Sequence, residues 1–138
     1  MARSATGEDL GKLILRLGLG VMIIFHGVAK VLTGPGMIVG IVAKAGLPPP
    51  VAYLVYVGEL LAPLLVIAGV WTRPAALVIA INIVVAVWLV HMKQFFTLDP
   101  GTGGWALELQ GFYFVTALAI ALLGAGRYSM GGTGGRWN

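Results

Sequence analysis

The chain has 138 residues, 59% of them hydrophobic and 10% charged, with a formal net charge of +4. Soluble domains carry charge on about a quarter of their residues, so this composition excludes an ordinary water-soluble domain and predicts a small integral membrane protein of one domain spanning 1–138. The basic residues lie between apolar runs and form no stripe with interleaved aromatics, which argues for contact with a lipid bilayer and against nucleic acid.

Cysteine is absent. The chain therefore forms no disulfide, offers no thiolate to a metal and cannot itself exchange thiols. The start, MARSATGEDLGK, places Glu8 and Asp9 before an apolar run too long for a signal-peptide core and without a small-x-small cleavage site. The first apolar segment is expected to be retained.

Four apolar segments follow one another at about 10–32, 51–70, 74–92 and 105–123. Each has about 19–23 residues, enough to span ~30 Å of hydrocarbon as a helix. The fold class expected is all-α: a polytopic membrane protein, an antiparallel bundle of four transmembrane helices. Thr6 with Asp9 offers an N-cap pair before the first helix. Thr33–Gly36 (TGPG) ends it, Pro48–Pro50 forbids helix just before the second, Pro74 suits a first helical turn, and Asp99–Gly104 (DPGTGG) reads as a loop. Met37–Gly46 is apolar but too short to cross, so a short interfacial or re-entrant helix is expected between helices 1 and 2. Pro63 should kink the second helix and free the carbonyl of Glu59 one turn earlier. Gly18, Gly20 and Gly27 in the first helix, and Gly58 with Ala62 in the second, allow close backbone approach.

Arg3, Lys12, Arg16, Arg73, Arg127 and Arg136 fall on one side of this topology, Lys30, Lys44 and Lys93 on the other. The excess of basic residues belongs in the cytoplasm, so both termini are expected there.

Ionisable residues in the spans concentrate in the outer half. His26 and Lys30 are one turn apart on the first helix and share a face that continues through Ile23 and Leu19 to Arg16. Tyr56, Glu59 and Pro63 share a face of the second helix, and Glu59 lies about 12 Å deep at 1.5 Å per residue. His91 closes the third helix, with Trp88 on its face. Asn82 falls on the opposite side of that helix at about 100° per residue. Glu108 opens the fourth, with Trp105, Gly111 and Phe112 on the same face. A charge at that depth needs a partner, hydration or room to snorkel, and Glu59 is too short to snorkel. Lys30 or His26 is its expected donor. The ligand or polar-cluster candidates are thus His26, Lys30, Tyr56, Glu59, His91 and Glu108.

Structural alternatives exist for each. Lys30 and Lys93 can snorkel, Glu59 with Lys30 can be a purely structural pair, His91 can lie at the interface, and Glu108 can serve the helix dipole. Trp71, Trp105 and Tyr128 read as interfacial aromatics.

FHGVAK at Phe25–Lys30, GLP at Gly46–Pro48, GEL at Gly58–Leu60, Gly69 followed by TRPAAL at Thr72–Leu77, Glu108, and GAGRYS at Gly124–Ser129 occur in an order and spacing that resembles the DoxX family of small four-span membrane proteins. The resemblance runs from about Leu15 to Ser129. It implies a four-helix fold in the cytoplasmic membrane of a prokaryote. Relatives are associated with quinone-linked sulfur oxidation, with membrane redox complexes answering oxidative stress, and with metal-related or cofactor-maturation operons. Thiol-linked roles would need a cysteine-bearing partner.

Three functions are weighed. A quinone-interacting subunit of a redox system would use His26 or Lys30 as donors to a bound quinone, Glu59 or Glu108 as proton relays, and Tyr56, Trp88, Trp105 and Phe112 as flanking walls. No catalytic motif, nucleotide fingerprint or haem-attachment motif is present, so its electrons would come from a partner protein. A non-enzymatic accessory or assembly subunit, as a hetero- or homo-oligomer, would use the cluster structurally. A metal or ion site would draw on His26, Glu59, His91 and Glu108, a set suited to zinc, copper(II) or iron(II), although Lys30 beside them would repel a cation.

Overall fold

The computed structural model describes the backbone of residues 2–138 and the side chains of residues 6–138, so the expectation that Arg3 is a topology charge lies outside the described residues. Regular structure is helical, with one isolated antiparallel bridge, Leu98 to Trp105, among the described residues. We label the helices α1 (Ala2–Thr33), α2 (Gly36–Lys44), α3 (Pro49–Ala68), α4 (Thr72–Gln94) and α5 (Glu108–Leu123). Residues 6–33 of α1, together with α3 and α4, are long and apolar enough to cross a membrane. At 1.5 Å per residue they reach about 42, 30 and 34 Å.

Helix α5 is apolar but shorter. The expectation of helix from Trp105 is corrected: Trp105 is held in the bridge to Leu98, and Leu107 has φ −105° and ψ 23°, so helix begins at Glu108. The N-cap expected at Thr6 and Asp9 is also corrected. Both residues lie inside α1, and the Asp9 carboxylate instead accepts the Arg127 backbone N–H at 3.0 Å. Pro48 is extended, as expected, but Pro49 and Pro50 open a 3-10 turn, where a missing N–H costs nothing.

Helix α4 packs most extensively against α5, while α1 packs on α3 and α5, and α3 on α4. Leu19, Ile23, Val66, Ile79, Ala117 and Ile120 are buried where the four meet. A Cβ on Gly20 would come within 2.5 Å of Ile67, and one on Gly27 would strike the Glu59 carbonyl. Those two glycines set the α1–α3 spacing. The same role expected of Gly18 is not observed, because the space around it is open. Pro63 acts one turn earlier than itself. Its ring excludes the usual bond to Glu59, and Val57–Leu61 widens into a π-helical turn in which the Ala62 N–H reaches back to the Val57 carbonyl. Gly27 then covers the Glu59 carbonyl.

Arg16 organises the end of the molecule that carries the termini. It is 1% exposed and, among the described residues, has no carboxylate partner. Its Nε donates to the Val66 carbonyl at 2.8 Å, Nη2 to Ile67 at 2.8 Å, and Nη1 to Ala125 at 2.7 Å and Tyr128 at 2.9 Å. Helix α3 ends in a left-handed Gly69 (φ 71°), with the Val70 N–H bonded to the Leu65 carbonyl, and Ala68 accepts from Met130 N–H at 2.9 Å. The last four carbonyls of α3 are thereby all satisfied. Arg73 does the same for α5, donating to Ala121 and Leu122 at 3.1 and 2.8 Å. Thr72 bonds Asn138 at 2.9 Å, so the segment after α5 lies as a strap across this end.

Candidate functional site

Glu59 occupies the π-helical turn of α3 and is 6% exposed. The Lys30 ammonium, in the last turn of α1, donates to both of its carboxylate oxygens. Asn82 of α4 adds its amide N–H to Oε1 at 3.3 Å. It can do so because α3 presents Gly58 to it; a Cβ there would be 2.6 Å from the Asn82 side chain. The Tyr56 hydroxyl donates to the Lys30 carbonyl at 3.3 Å and fastens the end of α1 to α3. Three helices thus converge on one carboxylate, with opposite charge and an amide donor directed at it.

Lys30, Glu59 and Tyr56 come together; the other candidates do not join them. The expected stripe on α1 is buried at Arg16, Leu19 and Ile23 and half-buried at Lys30, but His26 is exposed at its edge. Its ring packs edge-on against Tyr113 of α5, with centroids 6.1 Å apart at 79°. It falls off the stripe because the face centred on Lys30 and Ile23 is the one that meets α3. His91 is half-buried and pairs through Nδ1 with the Gln94 side-chain oxygen at 3.1 Å. It sits in a second π-helical turn, Val87–His91, whose wider pitch moves it out of a straight helix's register. Glu108 is exposed at the first turn of α5, beside Gly104, where the dipole favours a carboxylate. The set His26, Glu59, His91 and Glu108 is therefore not assembled, and among the described residues no three His, Cys, Asp or Glu side chains come together as a metal centre.

A second feature lies between α4 and α5, toward the loop end. A cavity of about 470 Å³ is walled by Trp88, Phe95, Trp105 and Phe114, with Ile83, Val84 and Val87 along α4. Gln110 borders it, but the surface the cavity presents is almost wholly apolar. The loop after α4 roofs this cavity rather than the Glu59 cluster. The Trp105 indole N–H donates to the Phe95 carbonyl at 2.7 Å, and the two rings meet edge-on at 5.7 Å. Phe112, expected as a wall, points outward at 76% exposure.

Asn82, Gln110 and Tyr113 were not among the sequence candidates. Asn82 and Gln110 are uncharged amides in apolar helices, which is itself a signal worth following. Tyr113 carries no sequence signal beyond its aromatic ring.

A family model, DoxX, matches residues 11–92. The matched stretch contains Arg16, Lys30, Gly58, Glu59 and Asn82 and stops before α5. No curated protein matches the chain, and no solved structure does.

Proposed function

The chain belongs to the DoxX family, and from that premise we propose that it is a quinone-interacting subunit of a membrane redox system. One observation carries this: a carboxylate–ammonium pair, steadied by Asn82, is held in the apolar loop-side half of the helices. A lipid-soluble carbonyl compound can reach that half from the bilayer. Reduction of a quinone takes up two electrons and two protons. The electrons come from a partner protein, since this chain has neither cysteine nor a nucleotide-binding fingerprint. Glu59 is the proton relay in this reading, and Lys30 and Asn82 hold it in place.

In this account α1, α3, α4 and α5 all cross the cytoplasmic membrane of a prokaryotic cell, and α2 lies at the outer interface. Helix α5 completes its span with the residues of the roofing loop. Lys12, Arg16, Arg73, Arg127 and Arg136 mark the cytoplasmic side, while Lys30 opposite them is neutralised by Glu59. The test is the quinol-to-quinone ratio in membranes of the native host, compared between wild type, a deletion strain and Glu59→Gln at equal protein abundance. The deletion and the variant should shift the ratio alike. An unchanged ratio in both would remove the redox role.

A second reading, an accessory subunit with a structural cluster, is favoured by one feature. Among the described residues no buried side-chain nitrogen or oxygen lacks a partner. It predicts that cluster variants lose thermal stability or partner binding while the quinone pool is unaffected.

A further inference from the structure

We infer that the Lys30 side chain is a gate: it swings between the Glu59 carboxylate and the headgroup level, and it opens Glu59 to water from the end opposite the termini and from no other. That Glu59 carries protons rests on the redox reading above; the end from which it is reached rests on geometry. Toward the termini the way is closed. Arg16, Glu59 and Thr72 are the buried polar or charged side chains among the described residues. Arg16 lies about 21 Å from Lys30 along α1, and Thr72 about 15 Å from Asn82 along α4, at 1.5 Å per residue. The interior in between is Leu19, Ile23, Ala62, Val66 and Ile79, each at most 3% exposed. A water molecule needs about 2–4 polar partners to stay in a protein interior, and these side chains offer none. The strap bonded to Arg16 and Thr72 then covers that end.

Toward the other end Glu59 is covered by a flexible side chain. That of Lys30 is 27% exposed, while Glu59 behind it is buried. Lys30 lies in the last turn of α1, which stops at Thr33 before Gly34 and Pro35, so the headgroup level is within reach of its four-carbon stem. Its Cα–Cβ bond tilts toward the helix N-terminus. One set of torsions brings the ammonium to both Glu59 oxygens, and others carry it outward. The swing needs no backbone movement. The Tyr56 hydroxyl keeps its hold on the Lys30 carbonyl, and the Asn82 amide keeps its hold on Glu59 Oε1. The carboxylate therefore stays in place when the ammonium leaves. In the redox reading, the protons of the quinone reaction are then exchanged with the compartment opposite the termini, and the reaction is vectorial.

The experiment applies a membrane-impermeant quaternary-ammonium carbodiimide to right-side-out spheroplasts and to inverted membrane vesicles. A protease-cleavable N-terminal tag on the full chain marks which face carries the termini. The reagent activates the Glu59 carboxyl, the Lys30 amine attacks the acyl carbon, and the reagent leaves as a urea. The chain loses one water in forming a Lys30–Glu59 amide, which peptide mass spectrometry reads. In the wild type that bond should form from the face opposite the termini and not from the other. Glu59 of Lys30→Met, with taurine as the added amine, should react from the same face roughly 10- to 100-fold faster, since a hydrogen bond to a charged group no longer keeps it closed. Reaction from the face of the termini, alone or equally, would overturn one-sided access. Reaction in Lys30→Met alone would make Lys30 a fixed plug, and no reaction in either form would mean a sealed carboxylate; both overturn the gate. The wild-type result stands even if Lys30→Met fails to fold. None of these outcomes involves quinone, so the quinol-to-quinone ratio judges the redox reading separately.

Discussion

Replacing Arg16 by methionine keeps the apolar stem and removes the guanidinium. The side chain is 1% exposed and makes four hydrogen bonds to backbone carbonyls. The Val66 carbonyl keeps a second donor, the Gly69 N–H at 3.2 Å. Those of Ile67, Ala125 and Tyr128 lose the donor described above. A hydrogen bond to a charged group is worth about 1.5–3 kcal/mol and an orphaned buried acceptor about 1–3 kcal/mol. The three are not additive, because the strap can lift and let water in. A net loss of about 3–5 kcal/mol follows, or about 10–15 °C in melting temperature for a chain of this length. Arg16→Lys should recover only part of it, since one ammonium cannot span carbonyls on α3 and on the strap together. The assay is thermal unfolding in a mild detergent, followed by far-UV circular dichroism, with limited proteolysis after α5 as a local readout. The methionine variant should also be cut early within residues 125–138. If it melted within 2 °C of wild type with the strap still protected, the guanidinium would not be the fastener described here.

Other substitutions test the remaining contacts. Lys30→Met leaves Glu59 buried without its cation and should cost roughly 2–3 kcal/mol, moderated by the partial exposure of Lys30. Lys30→Met/Glu59→Met should return most of that, as a denaturation double-mutant cycle would record. Gly27→Leu drives a side chain into the Glu59 carbonyl and Leu60 and should split α1 from α3, whereas Gly18→Ala, in open space, should be neutral or stabilise by up to about 1 kcal/mol; thermal melts of the two variants check both. Gly69→Ala meets a left-handed backbone (φ 71°) and the Arg16 guanidinium at once, and should cost about 1–3 kcal/mol in the same melts.

Continuous apolar runs made α1, α3 and α4 legible, because burial in lipid demands length and hydrophobicity that the sequence displays openly. Pro63 and Gly27 were legible for the same reason: their backbone chemistry is local. The Lys30–Glu59 pair followed from the need of a deep carboxylate for a cation on the preceding helix. The reading stopped at the start of α5, where the bridge between Leu98 and Trp105 is a non-local contact that overrides an apolar pattern. It also stopped at His91, displaced by a π-helical turn with no proline to announce it. Arg16 was read as a charge marking a side of the membrane and as the inner end of the His26–Lys30 face. Its partners are backbone carbonyls, which every residue carries and no sequence pattern marks. A signal was nonetheless present. Gly69, Arg73 and the GAGRYS stretch at Gly124–Ser129 are the residues that end α3, cap α5 and supply Ala125 and Tyr128 to Arg16. The pieces that carried the family resemblance at that end are the pieces of the clasp.

The redox proposal is tested most directly by native mass spectrometry of the protein extracted gently from its own membrane. A stoichiometric adduct at the mass of the host's quinone, diminished in Glu59→Gln, is the predicted result. A spectrum carrying only phospholipid or another polypeptide, with no quinone mass at any collision energy, would contradict it and leave the accessory role in its place.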